Sequence, residues 1–182
     1  MERQFLELTV TSMIKVRSRV FETNSSSSHS ITINDSSLVA NEIPIEQDWE
    51  VCDGEPTMMV ELNGFCGWNN HETQMEKLAY IIMQIAYILD LEEANGFYGS
   101  PEEIKEAREK LYESEEFKEL EDIICDYAGC KHIRLREDTE GYIDHASVCC
   151  NIGELKNWDI PYGGYLALVY GADTYIHFEH NG

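Results

Sequence analysis

Apolar side chains repeat at helical spacing in the middle of the chain and predict one helix over residues 72–94. They cover most of the helix surface instead of a single stripe, which is typical of a helix buried on nearly all sides. Asn95 and Gly96 supply a signal that ends it. The apolar positions are Leu78, Ile81, Ile82, Ile85, Ile88 and Leu89, widened by Met75, Ala79, Met83 and Ala86. We therefore place this helix at the centre of the core.

Two further helices are predicted from their end signals. Ser100 stands before Pro101 and three positions before Glu103, so that an N-cap, a first-turn proline and a capping box coincide and predict a helix to about Glu113. Ser114 begins another helix, which Gly129 ends.

Alternating polar and apolar positions predict strands on both sides of these helices. The predicted strands cover residues 14–21, 31–33, 57–62, 132–136, 142–148, 165–170 and 174–179, and the last four pair as two hairpins. Residues 23–30 are predicted as a polar loop, 34–56 as an irregular connection and 151–158 as holding a helical turn. This order predicts an α+β fold with a mainly antiparallel sheet and a block of three helices, one central and buried and two acidic. We expect a single domain over residues 13–182, with residues 1–12 either an N-terminal arm or a non-native extension before Met13.

The composition narrows the class of protein. The chain has 182 residues with 35 acidic and 13 basic side chains, a net charge of −22 and a pI near 4.4. Its 43% hydrophobic and 10% aromatic content excludes a disordered acidic tail. The charge disfavours wrapping nucleic acid and favours a basic partner. It is also uneven, because residues 92–122 hold 12 acids and four bases whereas residues 1–20 are net positive.

The cysteines and the longest apolar stretch indicate the cellular compartment of the protein. The six cysteines are Cys52, Cys66, Cys125, Cys130, Cys149 and Cys150. Residues 1–20 lack the pattern of a secretory signal, and no two of the cysteines form a CxxC motif. We therefore interpret them as reduced cytosolic thiols that mostly fill the core. A zinc site of Cys125, Cys130 and His132 with Cys149 and Cys150 is the alternative. The longest apolar stretch, residues 78–89, is too short to span a bilayer, so we expect a soluble protein. We also expect it to be cytoplasmic and to bind no metal or cofactor.

Acidic residues recur at i, i+4 and i+7 along the second and third helices. This set, the acidic comb, is Glu102, Glu106, Glu109, Glu113, Glu115, Glu119 and Asp122. Neighbouring carboxylates lie about 5–6 Å apart along a helix axis, which suits a Lys- and Arg-lined groove built for nucleic acid. The alternative is a solvated face, because Lys105, Arg108, Lys110 and Lys118 interleave with the comb and can form i,i+4 pairs.

Basic residues cluster at residues 15–19 and 131–136. If the two corresponding strands are neighbours, their arginines form a cationic strip beside the serine-rich loop, whose N–H and hydroxyl groups can hold a phosphate. The candidate phosphate or nucleic-acid contacts are Lys15, Arg17, Arg19, Asn24, Ser25, Ser26, Ser27, Ser28, His29, Arg134 and Arg136. The alternative is edge-strand charge that prevents aggregation. Ser25–Ser28 with His29 also offer a hydroxyl and a base, but adjacency does not create catalytic geometry, and we assign no catalytic residue.

Residues 15–30 read KVRSRVFETNSSSSHS. This string resembles the opening of small proteins from phages and other mobile elements of Gram-positive bacteria, which share a phrase close to VFETNSSSxHS. In that group the phrase lies near the start, which favours Met13 as the natural beginning. By class, the acidity, the size and the phage-type opening are similar to type II anti-CRISPR proteins, which inhibit Cas9.

Three functions follow as hypotheses. The first is a phage-derived, stoichiometric inhibitor of a host nucleic-acid-handling complex, most concretely Cas9 or Cas9 with its guide RNA, whose positively charged channel suits an acidic ligand. A secondary contact of the basic strand with nucleic acid belongs to this hypothesis. The second is an enzyme or binder that acts on a phosphate-bearing ligand through residues 24–29. The third is a phage structural or assembly protein, and the sequence leaves the oligomeric state open.

Overall fold

The computed structural model describes residues 13–17, 26–34, 49–62, 64–65, 70–89, 91, 100–137, 142–143, 163–171 and 174–181. Its strands are β1 (Met13–Arg17), β2 (Ser26–Asn34), β3 (Trp49–Cys52), β4 (Glu55–Val60), β5 (Gly64–Phe65), β6 (Asn70–His71), β7 (His132–Leu135), β8 (Tyr142–Ile143) and β9 (Tyr175–Asn181). Its helices are α1 (Gln74–Ile88), α2 (Pro101–Glu113), α3 (Glu115–Ala128) and α4 (Gly164–Tyr170). The described part is an α+β fold, as predicted.

Helix α1 lies at the centre of the core. Thr73 caps it through a capping box, in which Glu76 N–H donates to Thr73 Oγ1 at 3.2 Å and Thr73 N–H donates to Glu76 Oε2 at 3.1 Å. Every residue from 77 to 86 is buried, as the all-round apolar pattern predicts. The helix ends at Ile88 instead of residue 94, and Leu91 N–H closes the last turn by donating to Ala86 O. The predicted Asn95–Gly96 ending lies outside the described residues.

Strands β3, β4 and β7 form a mixed sheet beside α1. β3 and β4 are an antiparallel hairpin turned by Asp53 and Gly54, both at positive φ. β7 pairs parallel with β4, in register from Thr57 with His132 to Val60 with Leu135. The predicted hairpin of residues 132–136 with 142–148 is therefore wrong, because β8 pairs parallel with β5. The chain between β4 and β7 holds α1, α2 and α3, and such a crossover permits the parallel pairing.

A second sheet has the strand order β1-β2-β9-β6, with antiparallel pairs throughout. Its register joins Ser26 to Asn181 and Thr32 to Tyr175. Residues 26–30, predicted as loop, are thus strand. The prediction was wrong there because backbone hydrogen bonds form a ladder without any alternation of apolar side chains.

Helix α4 replaces a predicted strand at residues 165–170. Tyr165, Leu168 and Tyr170 are buried, and α4 contacts α1 and α3. A short apolar run does not distinguish a strand from a buried helix by its period, so tertiary packing decided. The second predicted hairpin is therefore wrong, although the strand predicted at 174–179 is present as β9.

Buried Lys77 connects α1 to Thr174, the residue directly before β9. Its Nζ donates to Thr174 Oγ1 at 2.8 Å and to Thr174 O at 3.2 Å. Thr174 Oγ1 lies 2.8 Å from Gly171 O and 3.0 Å from Leu168 O at the end of α4. Such bonds offset the desolvation of a buried ammonium group. In the described ranges, no helix has the length and apolar character needed to cross a membrane.

Candidate partner-binding surface

The four carboxylates of the comb on α2 lie on its exposed face. Glu102, Glu106, Glu109 and Glu113 are all exposed, whereas Ala107 and Leu111 on the opposite side are buried. Eleven positions separate Glu102 from Glu113, so a rise of about 1.5 Å per residue makes this stripe about 16 Å long. Its length corresponds to several phosphates of a nucleic-acid strand, which are spaced by about 3.4 Å of axial rise.

Two of these carboxylates pair with lysines of the same helix. Glu106 Oε1 lies 2.8 Å from Lys110 Nζ, and Glu109 Oε1 lies 3.9 Å from Lys105 Nζ. The predicted alternative, a solvated face with i,i+4 pairs, therefore describes the middle of the stripe. Exposed pairs of this kind contribute little to stability, so cations of a partner can replace the two lysines at small cost.

The comb continues on α3. Glu115 and Asp122 are exposed and Glu119 is half-buried, opposite the buried Phe117 and Leu120. Asp126 is also exposed and extends the same stripe. The sequence interpretation missed Asp126, although its distance of 11 positions from Glu115 repeats the spacing of Glu102 and Glu113.

A single residue, Ser114, joins α2 to α3 and caps both. Its N–H and Oγ–H donate to Leu111 O at 3.1 and 2.7 Å, and its Oγ accepts from Phe117 N–H at 3.2 Å. The rings of Tyr112 and Phe117 pack across the junction with centroids 5.3 Å apart. A connection this short and this well bonded leaves the two acidic helices little freedom relative to each other.

Side chains of α2 and α3 cover the outer edge of β7. Glu121 Oε1 accepts from Ile133 N–H at 2.8 Å, and Tyr112 Oη accepts from Leu135 N–H at 3.0 Å. Arg108 donates to the carbonyls of Arg136 and Glu137 at 2.7 and 3.3 Å. The bonds satisfy backbone groups that an open sheet edge would present to other chains, and they hold both helices on the sheet. Burial raises the pKa of Tyr112, so its hydroxyl stays protonated.

The two basic candidates on and after β7 have intramolecular partners. Arg134 donates to Glu121 Oε1 at 2.8 Å and stacks over the Tyr112 ring at 4.7 Å. Arg136 donates to Glu50 Oε1 on β3 at 3.1 Å. Each of these two guanidinium groups is therefore paired with a carboxylate of the same chain, and the alternative of edge-strand charge that prevents aggregation stays a prediction.

The remaining basic and polar candidates either belong to the second sheet or lie outside the described residues. Lys15 and Arg17 are in β1, which pairs with β2, whereas β7 pairs with β4, so the two basic strands are not paired neighbours. Ser26, Ser27, Ser28 and His29 are in β2. Arg19, Asn24 and Ser25 lie outside the described residues. Phosphate contact by this set stays a prediction.

The described ranges hold no group of three or more His, Cys, Asp or Glu side chains arranged to bind a metal ion. Of the zinc ligands considered from sequence, Cys125 and Cys130 are in contact, while His132 Nδ1 faces Glu121 Oε1 at 3.6 Å. Cys149 and Cys150 are not among the described residues.

Comparisons of the chain with protein-family models, curated proteins and solved structures find no match. The candidate partner-binding surface is therefore the feature of this chain that indicates a function. Its most distinctive feature is the carboxylate-bearing face of two helices that are capped, joined and bonded to a sheet edge.

Proposed function

We propose that this protein is a stoichiometric inhibitor of a basic, nucleic-acid-handling host complex, most concretely Cas9 with or without its guide RNA. The observation that carries the proposal is the exposed carboxylate stripe of Glu102, Glu106, Glu109 and Glu113 on α2. The phage-type string at residues 15–30 adds the biological setting, the cytoplasm of a bacterial host. We also propose that a mainly antiparallel sheet supports the two acidic helices that carry this surface.

Rigidity of the acidic face supports binding through it. Helix α2 begins with the Ser100 capping box, is capped at its end by Ser114, and donates through Arg108 to the carbonyl of Arg136, directly after β7. A surface that is ordered before binding loses little conformational entropy when it meets its partner.

Electrostatics supports a basic partner. Residues 101–128 hold 11 acidic and four basic side chains, within a chain of net charge −22. Such a field accelerates encounter with a positively charged groove and repels nucleic acid from the acidic face itself, and both effects weaken as salt rises. Cas9 offers such a groove for its heteroduplex.

The first test is a pull-down of purified Cas9, with and without guide RNA, on the immobilised full chain over a series of salt concentrations. We expect retention at low salt, progressive loss as salt rises, and inhibition of cleavage at equimolar inhibitor. Absence of retention even at about 10 mM salt, where exposed charges are least screened, would contradict the proposal.

The second test separates the stripe from net charge. The α2-Gln variant changes the four comb glutamates of α2 to Gln, and the matched control changes four exposed glutamates elsewhere. These control changes are Glu55→Gln, Glu61→Gln, Glu72→Gln and Glu137→Gln. If α2 is the interface, the α2-Gln variant weakens binding at least about tenfold more than the control, since interface charge pairs contribute more than remote ones. Equal effects would show that net charge alone steers the encounter.

A further inference from the structure

Two buried thiols meet where α3 ends. The sulfur atoms of Cys125 and Cys130 lie 3.0 Å apart, within hydrogen-bond reach, and the two residues are only 6% and 5% exposed. Both are free cysteines. The pair lies at the side of the molecule where α3 passes into β7 and takes no part in the proposed partner-binding surface.

The backbone explains why these two sulfurs meet. Gly129 follows the helix in the left-handed region, with φ of 82° and ψ of 19°, and its N–H donates to Cys125 O at 2.8 Å. This helix ending turns the chain so that the residue after the glycine packs on the last helical turn, where an apolar contact is usual. Here both members of that contact are cysteines. Lys131 N–H then donates to Pro56 O at 2.8 Å, which anchors the chain beyond Cys130 to β4.

The immediate surroundings favour one sulfur as the thiolate. The hydrogen bond between the two thiols lowers the pKa of Cys130, whereas the same bond, and after it burial, raises the pKa of Cys125. Burial, and after it the charges of the two sulfurs, raises the pKa of the Tyr170 hydroxyl. Among the described residues this buried hydroxyl has no hydrogen-bond partner.

We propose that Cys125 and Cys130 are a redox modification site that closes to a reversible disulfide when the protein meets a peroxide or a low-molecular-weight disulfide. With hydrogen peroxide, the Cys130 sulfur attacks one peroxide oxygen, the O–O bond breaks, and a sulfenic acid and water result. The Cys125 sulfur then attacks the Cys130 sulfur and the S–O bond breaks. A second water leaves with the Cys125 proton, so two thiols are oxidised and one peroxide is reduced.

With oxidised glutathione, Cys130 first forms a mixed disulfide and releases one glutathione. Cys125 then displaces the second glutathione, and a dithiol reductant reverses both steps. The close placement of the sulfurs makes the second step intramolecular, with an effective concentration far above millimolar glutathione. The internal disulfide should therefore exceed the glutathione adducts of these cysteines by at least about tenfold.

The sequence provides a clean mass-spectrometric test on the full chain. Cleavage after lysine and arginine releases residues 119–131 as one peptide that contains both cysteines and no other. Cys52 and Cys66 fall in the peptide of residues 20–77, and Cys149 and Cys150 fall in that of residues 137–156. The folded protein is treated with hydrogen peroxide or oxidised glutathione, alkylated and digested, and the same treatment is applied in concentrated guanidinium chloride.

We expect the peptide of residues 119–131 to lose two hydrogens, to resist alkylation and to recover both thiols after reduction. The internal bond should form at least about tenfold more than its glutathione adducts in the folded protein, and this preference should fall on unfolding. Cys52→Ser should leave the result unchanged, whereas Cys130→Ser should abolish the internal bond. The proposal is wrong if both thiols of the folded protein stay alkylatable, or if glutathione adducts predominate. Because this readout involves no partner, it is independent of the proposed function.

Discussion

Glu121 shows how one side chain connects the acidic helices to the sheet. Its Oε1 accepts from the Ile133 N–H and from Arg134, both at 2.8 Å, and it is mostly buried. A carboxylate in this position satisfies an edge N–H and balances a half-buried guanidinium group at once. Glu121 is therefore an acidic residue of α3 that serves the fold, whereas Asp122, next to it, faces solvent.

Glu121→Ala should lower the free energy of unfolding by about 2–3 kcal/mol, because it leaves the Ile133 N–H and Arg134 without their charged acceptor. Glu121→Gln keeps an acceptor oxygen and should cost about 1 kcal/mol. Urea denaturation followed by circular dichroism measures both. Asp122→Asn is the matched control and should change stability by less than about 0.5 kcal/mol. An equal loss in the control would show that Glu121 has no special structural role.

The stability of the α2 N-terminus depends on the ionisation of Glu103. The backbone N–H of Ser100, and after it the Ser100 side chain, lowers the pKa of the Glu103 carboxyl below its ordinary value. The stabilisation of the α2 N-terminus is therefore present at neutral pH and is lost as the pH falls through that lowered pKa. An NMR carboxyl titration should place the pKa of Glu103 below the ordinary glutamate value, and Ser100→Ala should raise it toward that value. A wild-type pKa at or above the ordinary value contradicts the capping box.

At the scale of elements, the acidic surface depends on the junction of α2 and α3. Ser114 provides the last bonds of one helix and the first bond of the next, so no flexible linker separates them. Buried Leu111 and Phe117 flank the junction and attach both helices to the core. The direction of each carboxylate stripe is consequently set by packing on the opposite helix face.

Ser114→Ala should lower the free energy of unfolding by about 1 kcal/mol, because it removes the hydroxyl that bonds Leu111 O and the Phe117 N–H. Ser114→Asp retains the acceptor for Phe117 N–H and should recover most of the loss. Chemical denaturation measures the two variants, and hydrogen exchange of the Phe117 amide should be faster in Ser114→Ala. Unchanged exchange at Phe117 would contradict the shared cap.

At the scale of the whole molecule, charge and core oppose each other. The negative charges of a chain with net charge −22 repel one another in the compact state. One cluster of buried apolar residues, drawn from all four described helices, the mixed sheet and β9, holds the described part together. The same repulsion keeps copies apart and attracts basic partners. Screening by salt should therefore strengthen the fold while it weakens the proposed complex.

The urea midpoint should rise between about 0.01 and about 0.5 M sodium chloride, since the screening length shortens severalfold over this range. The rise should be smaller for the α2-Gln variant, which carries four fewer negative charges. Circular dichroism at each salt concentration measures it. A midpoint that is independent of salt would show that self-repulsion is negligible in this fold.

Local signals predicted the bounds of α2 and α3. The Ser100–Pro101–Glu103 signature and the Ser114 and Gly129 caps lie where the structure begins and ends α2 and α3. The apolar repeat likewise placed α1 at the centre of the core. These features depend on bonds between residues a few positions apart, so the chain encodes them within a single turn.

Features that depend on distant partners could not be predicted in the same way. The period of residues 132–136 indicates a strand, but only the fold reveals β4 as its parallel neighbour and Glu121 and Tyr112 as the cover of its outer edge. Similarly, residues 164–170 are helical because α1 and α3 surround them. Arg134 became an internal partner through the same packing.

The sequence by itself thus determined the α+β class and the ends of α2 and α3, because short-range hydrogen bonds and helical period are local properties. Only the tertiary structure decided which strands pair, which charged side chains form ion pairs within the chain, and which two thiols are in contact. Each of these outcomes depends on bringing residues from separate elements into contact, and burial energy depends on the summed surface rather than on any one segment.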